Sequence, residues 1–252
     1  MSSPGHLGKL IPELQIFSLP FLFPDNSEQL KSILTNGKTM QKFFKPMYSK
    51  KGLKLFTFYP EGWQVWTTNK PINSPTDLQG FKMRVMTSPL LLATFESYSA
   101  TPIALPYSDV YSGLQLKMID GQVNPIFAIE EMSFYEVSDY LIHPKATQFI
   151  TSFITSQRFF QKLNPDYQSL VQKTAVEMQD YIFDLKAKVN ADRLKKILQK
   201  KPGIKQIHLN DEQRKAFQTK AQKAYEVYLD IGGKQAASVL NSIKSEINRE
   251  TK

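Results

Sequence analysis

Asp77–Leu91 reads DLQGFKMRVMTSPLL. Phe81, Met83 and Val85 alternate with Lys82, Arg84 and Met86, a period of two that predicts a half-buried strand. Ser88-Pro89 follows, a favoured N-cap and a favoured first helical residue, so a helix is predicted from Pro89 to about Ser99. An arginine therefore stands near the carboxyl end of a strand, close to the start of a helix. In open α/β sheets, ligands bind beyond the carboxyl ends of strands, and a guanidinium fork can grip a carboxylate through two parallel bonds. Thr87 or Ser88 can add a hydroxyl donor. The competing reading is a surface arginine paired with a neighbouring acid, and residue type alone favours that one.

The flanking sequence repeats the rhythm. Leu53–Tyr59 and Trp63–Asn69 alternate as two strands, preceded by a helical stretch from about Ser27 to Tyr48. Thr101–Pro106 is extended, and Ser108 is placed to cap the next helix. Asp120-Gly121 marks a turn, after which helical spacing resumes near Ile126. Strand and helix alternate, which predicts an α/β fold with a largely parallel sheet covered by helices. A departure begins at Asn164-Pro165, a cap and first turn. Leu170, Thr174, Met178, Ile182, Leu185, Val189 and Ile197 keep one face apolar until Pro202-Gly203 ends the helix. Such length is unusual in one compact unit and suits a bridge between two lobes. Asn210-Asp211-Glu212-Gln213 reads as a capping box opening a further helix, expected to stop at Gly232-Gly233.

A chain of 252 residues, 41% hydrophobic and 22% charged, has the composition of a globular protein. It has no apolar run near the length of a membrane span. The first ten residues show no basic segment leading into an apolar one, the pattern of an export signal. Without cysteine, disulfides, thiolate zinc sites and cysteine nucleophiles are excluded. The net charge of +9 is local: residues 1–185 hold 16 basic and 16 acidic side chains, whereas 186–252 hold 16 and 7. In that tail the lysines flank apolar helical stripes, as in DRLKKILQKK, and no aromatic residues interleave with them. They read as a solvated helix face rather than a nucleic-acid surface.

Catalytic patterns are missing. His6, His143 and His208 are far apart in sequence and show no metal-ligand spacing, so no metal site is expected. No nucleophile elbow, P-loop or dinucleotide-binding glycine motif occurs. Glu130-Glu131 sits on a helix with its carboxylates pointing in different directions, which reads as solvation. No enzymatic activity and no cofactor are expected.

From LQIFSLPFLF onward, the chain resembles a DctP-type solute-binding protein of TRAP (tripartite ATP-independent periplasmic) transporters. The resemblance rests on SLPFLF, EGWQVWTTNKPI, DLQGFKMRV, PYSDVYSGLQLKMIDGQVNP, FYEVSDYL and GIKQIHLNDEQRKAF, in family order across almost the whole chain. The run DGQxNP followed by FYEV is the most specific piece, and it decides the Arg84 contest in favour of ligand binding.

The resemblance implies a periplasmic-binding-protein-like fold of two α/β lobes closing over a small organic acid, with one long helix across both. Lobe I would comprise 1–61 and about 150–189, and lobe II 62–149 and about 190–252. Arg84 matches the family's ligand-clamping arginine and Asn124 the asparagine that hydrogen-bonds the ligand. Tyr107 falls where an aromatic residue lines the cleft. Trp63 and Gln64 fall on the strand that helps set ligand choice. Sialic-acid binders carry a second arginine near Gln64, and the neutral amide here argues against that ligand. A C4-dicarboxylate or similar carboxylate is expected, delivered outside the cytoplasm to a membrane permease. A ligand-presenting receptor for a sensor kinase and a non-binding remnant are the alternatives. Family members have a further strand–helix–strand segment and an export signal before the LPFLF region, so an incomplete first lobe is expected.

Overall fold

The computed structural model describes residues 7–250; His6 lies outside them. The predicted strands Leu53–Tyr59 and Trp63–Asn69 are one strand, β1 (Leu53–Thr68), which runs through Pro60 and Gly62. Its first part pairs antiparallel with β6 (Gln148–Ser156), from Leu53↔Ser156 to Trp63↔Gln148. Its second part pairs antiparallel with β4 (Gly121–Pro125), from Gln64↔Pro125 to Thr68↔Gly121, and with β5 (Tyr140–His143). The register shifts between Pro60 and Gly62. Glu61 is thus the extra residue of a bulge, a device that re-aims a side chain.

Around this strand the sheet order is β3-β2-β4-β1-β5-β7, with β2 at Lys82–Val85, β3 at Thr101–Ala104 and β7 at Lys205–His208. β2 runs parallel to β3 and β4, and β5 parallel to β7. The sheet is therefore mixed. The expected parallel pairing holds toward its edges, whereas every partner of β1 runs against it. Gly121 is where β4 comes closest to β1: a Cβ there would lie 2.6 Å from the Thr67 carbonyl oxygen.

The helices are α1 (Ser27–Asn36), α2 (Lys45–Lys50), α3 (Pro89–Ser97), α4 (Val110–Gln115) and α5 (Ile126–Glu131). They continue with α6 (Gln157–Lys162), α7 (Pro165–Lys200), α8 (Asp211–Lys220) and α9 (Gln222–Glu250). Asn26 caps α1 by accepting from the Glu28 and Gln29 amides, each at 3.0 Å. Between α1 and α2 a π-helical turn, Met40–Phe44, interrupts the predicted single helix. The expected caps Ser88, Asn164 and Asn210 all accept from backbone amides, and Gln213 completes the Asn210 capping box. Ser108 caps nothing: it lies inside a 3₁₀ turn, Tyr107–Asp109, and donates to Asp109 Oδ1. The pattern of a serine before an apolar stretch was present, but Pro106 starts the turn earlier. α9 is broken at Gly233, whose φ of +56° suits glycine, and the helix resumes beyond it.

Two cores result. One gathers Leu14, Phe17, Phe44 and Phe58 with Tyr228 and Ile243, the last two from α9. The other flanks both faces of the sheet's second part. On one face Trp66 lies within 5.3–6.2 Å of the rings of Phe95, Tyr98 and Phe217; on the other, Val65 packs with Val110, Ile129 and Ile197. Truncating Trp66 in such a nest would cost about 3–5 kcal/mol. α9 packs on the first core, which also takes in Leu90 of α3.

α7, 36 residues long, spans both cores, with Phe183 in the first and Ile197 in the second. Its buried face keeps only part of the expected stripe: Ile197 is buried and Ile182 and Val189 are half-buried. Leu170, Met178 and Leu185 are 57%, 39% and 37% exposed, while Ala175, Gln179 and Phe183 are buried. The small and polar members of that face let the helix approach β1 and bond to it. Tyr59 donates its hydroxyl to the Ala175 carbonyl at 3.3 Å, and Gln179 donates to Thr57 Oγ1. Apolarity alone found the buried side at Ile197 and missed it between Leu170 and Leu185.

Candidate functional site

Arg84, 2% exposed, is the second-last residue of β2, three residues before Thr87 and four before the α3 cap Ser88. The Arg84 fork is half used. Nε and Nη2 both donate to the Leu105 carbonyl, at 2.9 and 2.7 Å. Nη1 is buried and has no hydrogen-bond partner among the described residues. Burial lowers the guanidinium pKa to about 10, a shift the neighbouring Tyr107 opposes. The competing reading, an arginine satisfied by a nearby acid, fails at this position: what holds the fork is a carbonyl.

Arg84 lines a cavity of about 590 Å³ together with Thr87, Tyr107, Asn124, Glu61 and Glu131. Four of the six expected site residues are thus brought together. Tyr107 is 40% exposed and rests edge-on against Phe134, with ring centroids 5.8 Å apart. Its hydroxyl pKa is raised by burial first and by Glu131 second, with Arg84 working the other way. Asn124 is anchored: its Nδ2 donates to Gln122 Oε1, and Gln122 Nε2 donates to Thr67 Oγ1 at 3.0 Å. All three side chains are buried. One amide N–H and the carbonyl oxygen of Asn124 remain to face the cavity. Gln122 escaped the sequence reading, although its place two residues before Asn124 on one strand puts both on one face.

The other two expected residues sit elsewhere. Trp63 is not among the cavity-lining residues, and Gln64 lines a smaller neighbouring space with Trp66 and Met86. The physical reason is the bulge. It resets the alternation of β1, so that Glu61 rather than Trp63 reaches the cavity. The signal that could have marked the bulge is Pro60 and Gly62 inside a strand pattern, and Glu61 between them was missed. Its Oε1 accepts from Thr151 Oγ1 at 2.8 Å, and its backbone carbonyl accepts from Asn190 Nδ2 of α7, also at 2.8 Å. Burial raises its carboxyl pKa, and the Thr151 bond offsets part of that rise. Asn190 Oδ1 accepts from the Phe127 amide at 3.2 Å, and its Nδ2 also reaches the Lys186 carbonyl. One amide thereby ties β1, α5 and α7 beside the cavity.

Two expectations away from the cavity also change. Glu130 is not solvated: it is 7% exposed and paired with Arg193 and with Lys200, the latter at 3.1 Å. The Arg193 bond is the main cause of its lowered pKa. His143 and His208 are adjacent in space, partnered across β5 and β7 and stacked 4.3 Å apart at 7°. Among the described residues no group of acids and histidines is arranged to hold a metal.

A family model described as bacterial extracellular solute-binding protein, family 7 (DctP), matches residues 1–230. The chain belongs to this family. The ectoine/5-hydroxyectoine-binding periplasmic protein UehA of Ruegeria pomeroyi is 35% identical over 97% of this chain and 72% of its own length. The ectoine-binding periplasmic protein TeaA of Halomonas elongata is 37% identical with the same coverage. The C4-dicarboxylate-binding periplasmic protein DctP of Shewanella loihica is 29% identical over 88% of this chain and 65% of its own. The solved structure of the periplasmic ectoine-binding protein of the TeaABC TRAP transporter of H. elongata matches with a TM-score of 0.93 and 36% identity, covering 98% of this chain and 81% of that one. This DctP-family chain is accordingly an α/β protein of the TRAP solute-binding type, in a family of transport proteins rather than enzymes. Among the described residues no helix is long and apolar enough to cross a membrane.

Proposed function

We propose that this DctP-family protein captures a small carboxylate-bearing solute in the cavity at the end of β2, outside the cytoplasm, and passes it to TRAP permease subunits. The observation that carries the reading is the buried Nη1 of Arg84, unpaired in the wall of a cavity. A buried cationic N–H without an acceptor is costly, and a ligand carboxylate would supply that acceptor. Arg84 grips the acid, Asn124 orients the remaining oxygen or a substituent, and Tyr107 covers the solute. Thr87 stands at the rim with a hydroxyl donor.

The finer expectation of a C4-dicarboxylate has relatives of that specificity behind it at 25% and 29% identity. Two ectoine binders stand at 35% and 37%. The reading common to both is one carboxylate on one arginine, with the rest of the ligand met by different groups. Calorimetry with organic acids tests it. Arg84→Ala is expected to lose about a hundredfold in affinity, and Arg84→Lys to recover little, because an ammonium lacks the planar fork. Undiminished affinity in both variants overturns the proposal.

A further inference from the structure

We infer that Glu61 is a specificity residue that receives a cationic N–H group of the ligand, so that the solute is a zwitterion held between Glu61 and Arg84. The inference rests on the reading of the cavity as the ligand site, and the bulge in β1 is its first support. Pro60 pairs with Ile150 and Gly62 with Phe149, leaving Glu61 without a partner between them. A residue ejected from the ladder in this way is free to turn its side chain toward the cavity, which Glu61 lines.

Its orientation is fixed from three sides. Asn190 holds its carbonyl, Thr151 holds Oε1, and Gly62 admits α7 closely enough that a Cβ at that glycine would lie 2.8 Å from Asn190 Nδ2. One hydroxyl donor is too little for a half-buried carboxylate, which has room for several. The raised carboxyl pKa agrees with an under-satisfied group.

The second support is charge. Among the described residues the cavity lining contains Lys9 and Arg84 on one side of the balance, Glu61 and Glu131 on the other. A dianion entering this wall would meet two carboxylates for two cations. A solute with one carboxylate and one protonated nitrogen matches both signs.

The experiment measures binding of ectoine (carboxylate and amidinium), D-glucuronate (carboxylate only) and succinate (two carboxylates) by calorimetry, on wild type, Glu61→Gln and Thr151→Val. Ectoine is expected to bind at least roughly tenfold tighter than the other two. Glu61→Gln keeps the shape and the Thr151 acceptor but removes the charge, and should weaken ectoine roughly tenfold or more while leaving glucuronate within about twofold. Thr151→Val loosens the carboxylate and should give a smaller loss of the same selectivity, which keeps the test valid if Glu61→Gln unfolds. A preference for succinate, no binding of ectoine, or equal effects of Glu61→Gln on ectoine and glucuronate would each overturn the inference. Arg84→Ala separates the two proposals. Glucuronate or succinate binding that depends on Arg84 and ignores Glu61 removes this inference alone, whereas acid binding untouched by Arg84→Ala removes the ligand site itself.

Discussion

Two buried charges on this molecule are treated in opposite ways. Glu130, on α5, is buried and answered by an arginine and a lysine from α7. Arg84, at the end of β2, is buried as deeply and answered by a single carbonyl, with one nitrogen left over. The first arrangement completes itself within the chain and fastens the long helix to the sheet's cover. The second is complete only when something else supplies an acceptor. Burial alone does not separate structural from functional charges; the count of partners does.

Removing the two charges should therefore give opposite phenotypes. Arg84→Ala is expected to lose about 3 kcal/mol of ligand binding, measured by calorimetry, with a melting temperature equal to or above that of wild type. A large fall in stability with binding intact would erase the contrast. Glu130→Gln should do the reverse. It gives up charge-assisted bonds worth about 2 kcal/mol of stability, discounted because Arg193 and Lys200 are partly exposed, and should leave affinity within about twofold. Denaturant titration measures the loss. The Glu130 pKa is lowered on folding. Its contribution is thus present above the ordinary glutamate range and disappears as pH falls through the folded value, where wild type and Glu130→Gln should converge.

Histidine sharpens the same comparison from a third position. Burial, aided by the nearby His208, lowers the His143 pKa to about 4. As pH falls below about 6.5 the unfolded chain takes up that proton before the folded one does, so stability declines between about pH 6.5 and 4. Allowing for partial exposure, the loss is about 2 kcal/mol, and His143→Asn should flatten that part of a stability–pH curve. A curve unchanged by the substitution would show that the stacked pair does not resist protonation. The smallest effect belongs to a cap. Asn164 accepts from the Tyr167 amide at 2.9 Å at the start of α7, and Asn164→Ala should cost about 1 kcal/mol in thermal unfolding without touching ligand affinity.

What could be read from the residues follows the same division. The β2 strand, the caps at Ser88, Asn164 and Asn210, and Arg84 beside a helix start are local patterns, each spanning a few residues, and the structure realises them. The errors arose where distant segments decide. Merging of two strands into β1, and the burial of Gln179 in place of Leu170, depend on which surface α7 meets. The π-helical turn at Met40–Phe44 has no sequence periodicity of its own. Glu61 entered the cavity through a register shift against β6, marked in the sequence only by Pro60 and Gly62. Asn124 was legible by resemblance, whereas the Thr67–Gln122 relay behind it needed the antiparallel register of β1 and β4.

β1 changes partners between Trp63 and Gln64, leaving the β6 ladder for that of β4. A bend at this joint flexes the backbone where one ladder has ended and the next begins, so each half-strand can keep its own rungs. Asn190 bonds β1, α5 and α7 together beside this joint, so any tilt of one core against the other would turn about that point rather than slide past it. Because Glu61 is at that pivot and Arg84 is away from it, such a tilt would swing the guanidinium around the carboxylate, changing the direction between the two charges far more than their separation.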